Sequence, residues 1–167
     1  MLPEPTARLR FREMTHDDLD EMAALLGDPE IMTYYPAPKT RDEALSWINW
    51  NLNNYATYGH GLWIIETPDG VFVGDCGLTI QRPEGDPEVE VGYHVRTEFQ
   101  RQGLATEAAI ACREAARASG VRHLIAIIHP DNLGSQGVAR KIGLVEERRV
   151  VMPKHPDRPV VIFGADL

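Results

Sequence analysis

The stretch from Val89 to His129 leaves few ways for this chain to fold. "VEVGYHV" (89–95) alternates as a strand, a helix runs from about Gly103 to Ser119, and "VRHLIAIIH" (121–129) is a nearly continuous apolar run. A strand that reaches its neighbour through a helix crosses over right-handedly, which makes the two strands parallel. The unbroken apolar run predicts a strand buried on both faces. Gly120 is placed to end the helix. Gln100, Arg101, Gln102, Gly103 and Ala105 sit where strand gives way to helix. They combine little bulk with many backbone N–H groups at a helix N-terminus, a combination suited to an anion and most often to a phosphate. The alternative is an ordinary turn in which Gly103 only permits a tight bend.

The remaining elements frame this unit. "LRFRE" (9–13) alternates as a strand. Thr15 with Asp18, and Thr40 with Glu43, have the spacing of capping boxes and open two helices, the second running to Gly59. "GLWIIET" and "VFVGDCGLTIQ" form a hairpin around "PDG" (68–70), and "PEGDPE" (83–88) turns into the strand from Val89. "PDNLGSQGVARKIG" (130–143) is a loop into a short helix, and "LVEERRVVM" and "RPVVIFGAD" are two closing strands. The predicted order is β-α-α-β-β-β-α-β-α-β-β, an α/β domain with a mixed sheet. No repeat or linker divides it, so residues 1–167 are expected to form one domain.

The formal net charge of −8 argues against a nucleic-acid partner and is compatible with a cationic substrate such as an amine. No apolar run has the length of a membrane span, and the N-terminus has no apolar signal region. Cys76 and Cys112 lie far apart, without disulfide or metal spacing. A cytoplasmic location is the expectation.

The turn does not continue as Gly-Lys-Ser/Thr, so it is not a nucleotide P-loop, and it lacks the Gly-x-Gly-x-x-Gly run of dinucleotide sites. A second segment narrows the reading. "HPDNLGSQGVARKIGL" (129–144) closes the next strand and opens the next helix, with Asn132 and Ser135 three apart. Together with "EVGYHV", "QRQGLATEA" and the opening "LRFREMTHDDLDEMAALLGDPEIMTYY", it resembles the GNAT-type N-acetyltransferases, in particular the branch of the ribosomal-protein N-terminal (Rim-type) enzymes. The resemblance covers nearly the whole chain, in order.

That resemblance implies an acetyl-CoA-dependent N-acetyltransferase of bacterial type, with helices on both faces of the sheet. The parallel pair is splayed where the coenzyme enters, with a bulge in the first strand as the expected cause. The backbone of Arg101, Gln102, Gly103, Leu104, Ala105 and Thr106 would hold the pyrophosphate, with Gln100 and Arg101 adding side-chain donors. His94, Val95 and Arg96 would bond the pantetheine arm as an added strand, and the Val95 region would supply the oxyanion donor. Asn132 would take a pantetheine amide. Lys141 is either a phosphate contact or a solvated helix face.

Acetyl transfer to an amine needs a base, an oxyanion donor and an acid. Many relatives place an acidic tyrosine after the second motif, where this chain has "LVEERRVVM" and none. Ser135 matches the serine proposed for that role in the Rim-like branch. Its alternative is a helix cap or a coenzyme contact. Glu90, then Glu88, are the candidate bases, on one strand face with Gly92 and His94. The alternative is a plain exposed strand face. His94 is a weaker candidate that could relay a proton through water. His129 is expected to structure the strand end. Tyr34, Tyr35, Trp47, Trp50 and Tyr55 fall in the substrate-facing part, with core packing the alternative. The acceptor is a peptide N-terminus or a small-molecule amine, and exposed C-terminal strand edges permit a homodimer. A noncatalytic acetyl-CoA-binding sensor is the competing function.

Overall fold

The computed structural model describes Met1–Leu167. Strand β1 (Arg10–Arg12) is followed by a 3-10 turn (His16–Asp18), α1 (Leu19–Leu26), α2 (Arg41–Tyr58), and strands β2 (Leu62–Glu66), β3 (Phe72–Gln81) and β4 (Glu88–Val95). A second 3-10 turn (Thr97–Phe99) leads to α3 (Leu104–Ala118), β5 (His123–Ile128), α4 (Leu133–Lys141), β6 (Val145–Val151) and β7 (Pro159–Asp166). The predicted element order holds throughout. So do both capping boxes, at Thr15 and Thr40, each of which satisfies N–H groups that a helix start leaves unpaired. Gly59 ends α2 in the left-handed conformation, φ 76°.

All seven strands join one sheet in the order β1-β2-β3-β4-β5-β7-β6. Only β4 and β5 are parallel, as the crossover through α3 requires. The last strand inserts between β5 and β6, so β6 forms one edge of the sheet. One face packs under α3 and α4, with Trp63, Leu124 and Phe163 at its centre. The other packs under α1 and α2 through Met22, Leu26, Ile48 and Ile64. Past Leu104, the side chains that α3 buries are small: Ala108, Ala109, Cys112 and Ala116. They let the helix sit so close to the sheet that Cys112 Sγ lies 3.6 Å from Cys76 Sγ of β3.

The parallel pair keeps register at only two positions, Val89 with Leu124 and Glu90 with Ile125. Beyond them the strands part, as expected, but not through a bulge in β4. The register of β4 on β3 is unbroken from Gln81–Glu88 to Gly74–Val95. Each strand instead stays with its outer antiparallel partner: β4 with β3, and β5 with β7 as far as Ile128–Val161. The twist of the sheet then opens the gap between them. Glycine permits the tight pairing on the β3 side. A Cβ on Gly74 would lie 1.9 Å from the His94 carbonyl oxygen, and one on Gly77 would lie 2.0 Å from that of Gly61. Gly77→Ala should therefore cost about 1–3 kcal/mol of stability by overpacking backbone that cannot yield. Urea unfolding would show a lowered midpoint at unchanged slope.

Candidate active site

The gap opens into a cleft of about 800 Å³ that runs from the turn before α3, between β4 and β5, to the loop joining α1 and α2 and the tip of the β6–β7 hairpin. At the α3 end, Arg101 and Gly103 both have positive φ, 60° and 79°. Gly103 takes this conformation without cost, whereas Arg101 holds it against a preference of about 1–2 kcal/mol. No side chain caps α3, which leaves the N–H groups of its first turn facing the cleft with the positive end of the helix dipole behind them. Gly103, Leu104, Ala105 and Thr106 line the cleft here, with Arg101 and Lys141 beside them; neither cation takes part in an ion pair.

Other turn residues are occupied elsewhere. Gln100 lines the cleft, but its Nε2 donates to the Val95 carbonyl (2.9 Å) and braces the turn instead of offering a free donor. Gln102 Nε2 donates to the Glu98 carbonyl (3.2 Å), and Arg96 donates to the Phe72 carbonyl (2.8 Å) and pairs with Glu98. The Gln102 and Arg96 side chains therefore leave the cleft, and only their backbone remains for the roles expected of them. Arg8, which sequence reasoning passed over, anchors the turn from outside. It donates to the Gln102 carbonyl (2.8 Å) and to Glu107 (2.8 Å), one turn into α3.

The backbone of β4 supplies further donors. Arg96 N–H donates to the Val73 carbonyl (2.9 Å), which sets the alternation of the antiparallel ladder. Tyr93 and Val95 accordingly direct their N–H groups toward the gap, where β5 no longer answers them. Asn132 caps α4, its Oδ1 accepting from Ser135 N–H (3.0 Å), so the cap is Asn132 and not Ser135. The Ser135 hydroxyl instead lies 2.8 Å from the Tyr93 hydroxyl, which also donates to the Ser135 carbonyl (3.0 Å). A tyrosine is thus present beside Ser135 after all, contributed by β4. Alternation placed Tyr93 on the opposite strand face from Glu90, but at a split in the sheet both faces reach the same opening.

Where the strands part, Tyr35, Glu90, Tyr93 and Ser135 wall a smaller cavity of about 60 Å³. Burial pushes the Glu90 carboxyl up to about 7, against the pull of the nearby Ile127 amide, His94 and Thr79. Burial likewise raises the Tyr93 phenol, and its bond to Ser135 offsets only part of the rise. Glu88 is removed from contention, since Arg148 Nη2 holds its carboxylate at 2.7 Å. His94 is fixed on both sides: Nδ1 lies 2.7 Å from Asp75 Oδ1, and Nε2 lies 2.7 Å from the Tyr35 hydroxyl. Trp47 Nε1 donates to the other Asp75 oxygen (3.2 Å), and its ring lies 5.4 Å from that of Trp50. Both tryptophans line the cleft. Tyr55 is structural: its hydroxyl donates to the Leu62 carbonyl and accepts from Met14 N–H. His129 takes the Asp131 N–H (3.1 Å) and packs on Tyr34, which orders the end of β5. No group of three or more acidic, histidine or cysteine side chains is arranged to hold a metal.

The model of a family described as acetyltransferase (GNAT) domain matches residues 8–145. The chain is 34% identical over 163 residues to the uncharacterized protein YkkB of Bacillus subtilis (strain 168), covering 95% of this chain and 92% of that one. Among solved structures it is similar to an acetyltransferase from Agrobacterium tumefaciens str. C58 (TM-score 0.84, 22% identity, 99% and 94% of the two chains). It is also similar to RimL, a ribosomal alpha-N-protein acetyltransferase in complex with coenzyme A (TM-score 0.82, 15% identity, 100% and 98%). At these identities the two structures speak for the fold.

A carboxyl raised on folding stabilises the protein fully below its unfolded value near 4.5, and that contribution is lost as pH climbs through about 7. Glu90→Gln should remove the loss. Relative to wild type, the variant gains stability between pH 5 and 8, on the order of 2 kcal/mol, read from chemical unfolding at the two pH values.

Proposed function

The chain belongs to the GNAT acetyltransferase domain family, and on that premise we propose that it transfers the acetyl group of acetyl-CoA to a primary amine by direct attack of the nitrogen on the thioester. The observation that carries this reading is the convergence of Glu90, Tyr93 and Ser135 on the small cavity where β4 and β5 separate, one slot away from the uncapped N-terminus of α3.

Each need of the reaction has a group suited to it. The first-turn N–H groups of α3, with Arg101 and Lys141, offer a cationic cradle for the pyrophosphate of the coenzyme. The unpaired edge of β4 can bond the pantetheine arm as a further strand would. The residues therefore fit acetyl-CoA, which brings an acyl group already activated as a thioester. Glu90, with a carboxyl near neutrality, accepts a proton from the incoming ammonium. An α-amino group of pKa about 8 is roughly a tenth neutral at pH 7, and a lysine-like amine far less, so the base matters more for the second. The Val95 N–H, at the free edge of β4, can donate to the oxygen that gains charge. The Tyr93–Ser135 pair faces the departing sulfur and returns a proton to it. Its presence supports catalysis over a noncatalytic sensor, which has no use for a proton donor there. Much of the rate then comes from positioning, since two reactants are held in one slot.

The acceptor is a primary amine, either a protein N-terminus or a small molecule. Its side of the cleft is lined by Tyr34, Tyr35, Trp47 and Trp50, with Met152, His155 and Arg158 from the hairpin tip.

Thiol release from acetyl-CoA across peptides, polyamines, aminoglycosides and amino acids tests the reading. Release with one class is expected; acetyl-CoA binding by calorimetry with no release from any amine would favour the sensor. Two variants separate binding from chemistry. Gly103→Glu should weaken acetyl-CoA at least about tenfold, by placing charge and a left-handed side chain at the phosphate turn. Ser135→Ala should lower kcat about 10–100-fold while acetyl-CoA affinity holds. Loss of affinity alone would make Ser135 a binding residue.

A further inference from the structure

The roles above leave one proton without a destination. An ammonium group loses two protons on becoming an amide N–H. Glu90 takes the first and is then protonated. The second departs from the nitrogen after the N–C bond forms, while the proton that sulfur receives comes from the Tyr93–Ser135 pair. A second acceptor on the amine side of the slot completes the sequence.

We infer that Tyr35, His94 and Asp75 form a proton relay that takes the second proton from the acceptor nitrogen; this rests on the acetyl-transfer reading. Tyr35 lines the small cavity together with Glu90, Tyr93 and Ser135, the place that the acetyl-transfer reading gives to the reacting atoms. That hydroxyl lies 2.7 Å from His94 Nε2, and His94 Nδ1 lies 2.7 Å from Asp75 Oδ1. Asp75 is fully buried and His94 is 6% exposed, so water does not compete for the bond between them, while Tyr35, 40% exposed, links that pair to the cleft. Asp75 fixes the tautomer, with the proton on Nδ1 and Nε2 free to accept. The charged and titratable groups that face His94 are Asp75 from β3, Glu90 from β4 and Tyr35 from the loop between α1 and α2. From α2 comes the neutral Trp47 ring, set edge-on at 5.7 Å.

The transfer balances. As the nitrogen bonds to the acyl carbon, the Tyr35 oxygen accepts the nitrogen's proton and passes its own to His94 Nε2. The C–S bond breaks with its electron pair on sulfur, sulfur takes a proton from the Tyr93–Ser135 pair, and bulk water later restores all three sites. Tyr35 need never become a phenolate. Burial, with Glu90 and Asp75 nearby, raises its phenol well above the ordinary range, which suits a conduit. A purely structural reading accounts poorly for Asp75. A buried carboxylate in a central strand is costly, and well-packed apolar residues in place of buried charged groups are often no less stable. The arrangement repeats the logic of a catalytic triad, with the tyrosine hydroxyl between the imidazole and the substrate. Tyr35 is the group that touches the reacting atoms; His94 and Asp75 act through it.

The test uses the full chain and an amine that the wild type acetylates. Tyr35→Phe and His94→Gln should each lower kcat about 100-fold, with KM for the amine and acetyl-CoA affinity near wild type. The kcat–pH profile should change shape in both variants while keeping the limb that belongs to Glu90. Tyr35→Phe removes one hydroxyl from an exposed loop and so gives an answer even where His94→Gln does not fold. A variant kcat within about threefold of wild type overturns the relay. So does a loss confined to KM, or one with the pH profile unchanged, either of which makes Tyr35 a latch for its loop. Wild-type chain that releases no thiol with any amine overturns the parent reading and the relay together. Turnover that survives in the variants overturns the relay alone.

Discussion

The separation of β4 from β5 is the feature on which the rest of the molecule depends. Two parallel strands that leave the ladder after two residue pairs expose backbone N–H groups that cost free energy when buried unpaired. A fold keeps such an edge where a ligand can answer it. The same parting brings both faces of β4 to one opening, with Glu90 and His94 from one side and Tyr93 from the other. It is held open by tight pairing on the outer flanks, through Gly74 and Gly77 on one side and β7 on the other.

Charge is distributed along the slot in keeping with that geometry. The chain is acidic overall, yet the α3 end presents a helix N-terminus, Arg101 and Lys141. The other end presents Glu90 and the Asp75–His94 pair. The two ends thus differ in the charge they offer, and the net charge of −8 describes neither. Between the two ends the groups are buried enough for their proton affinities to shift. Glu90 is the clearest case, because desolvation outweighs every neighbour that favours its charged form.

Much of this was legible in the residues. The crossover from Val89 to His129, the turn into α3 and the start of α4 at Asn132 were legible because each rests on local chemistry: turn glycines, helix starts and apolar runs. Strand alternation singled out Glu90, which lines the small cavity. Tyr93 was missed by the same rule, which assumes a closed sheet. The expected bulge in β4 was wrong because the opening comes from the outer partners of two strands, and pairing partners are not local information. Glu88, equal to Glu90 by alternation, is tied to Arg148 sixty residues away. Gln102 and Arg96 matched a pattern of residue types, yet their side chains turn to neighbouring carbonyls.

By itself the sequence determined the order of elements and the parallel pair, because hydrophobic period, capping residues and turn residues act over a few positions. Only the tertiary structure decided which side chains share the slot. Tyr35 comes from the α1–α2 loop, Asp75 from β3, His94 from β4 and Ser135 from α4, and no spacing along the chain encodes their meeting. The raised proton affinities of Tyr35, Glu90 and Tyr93 follow from burial brought by folding, so the chemistry of the site belongs to the assembled sheet.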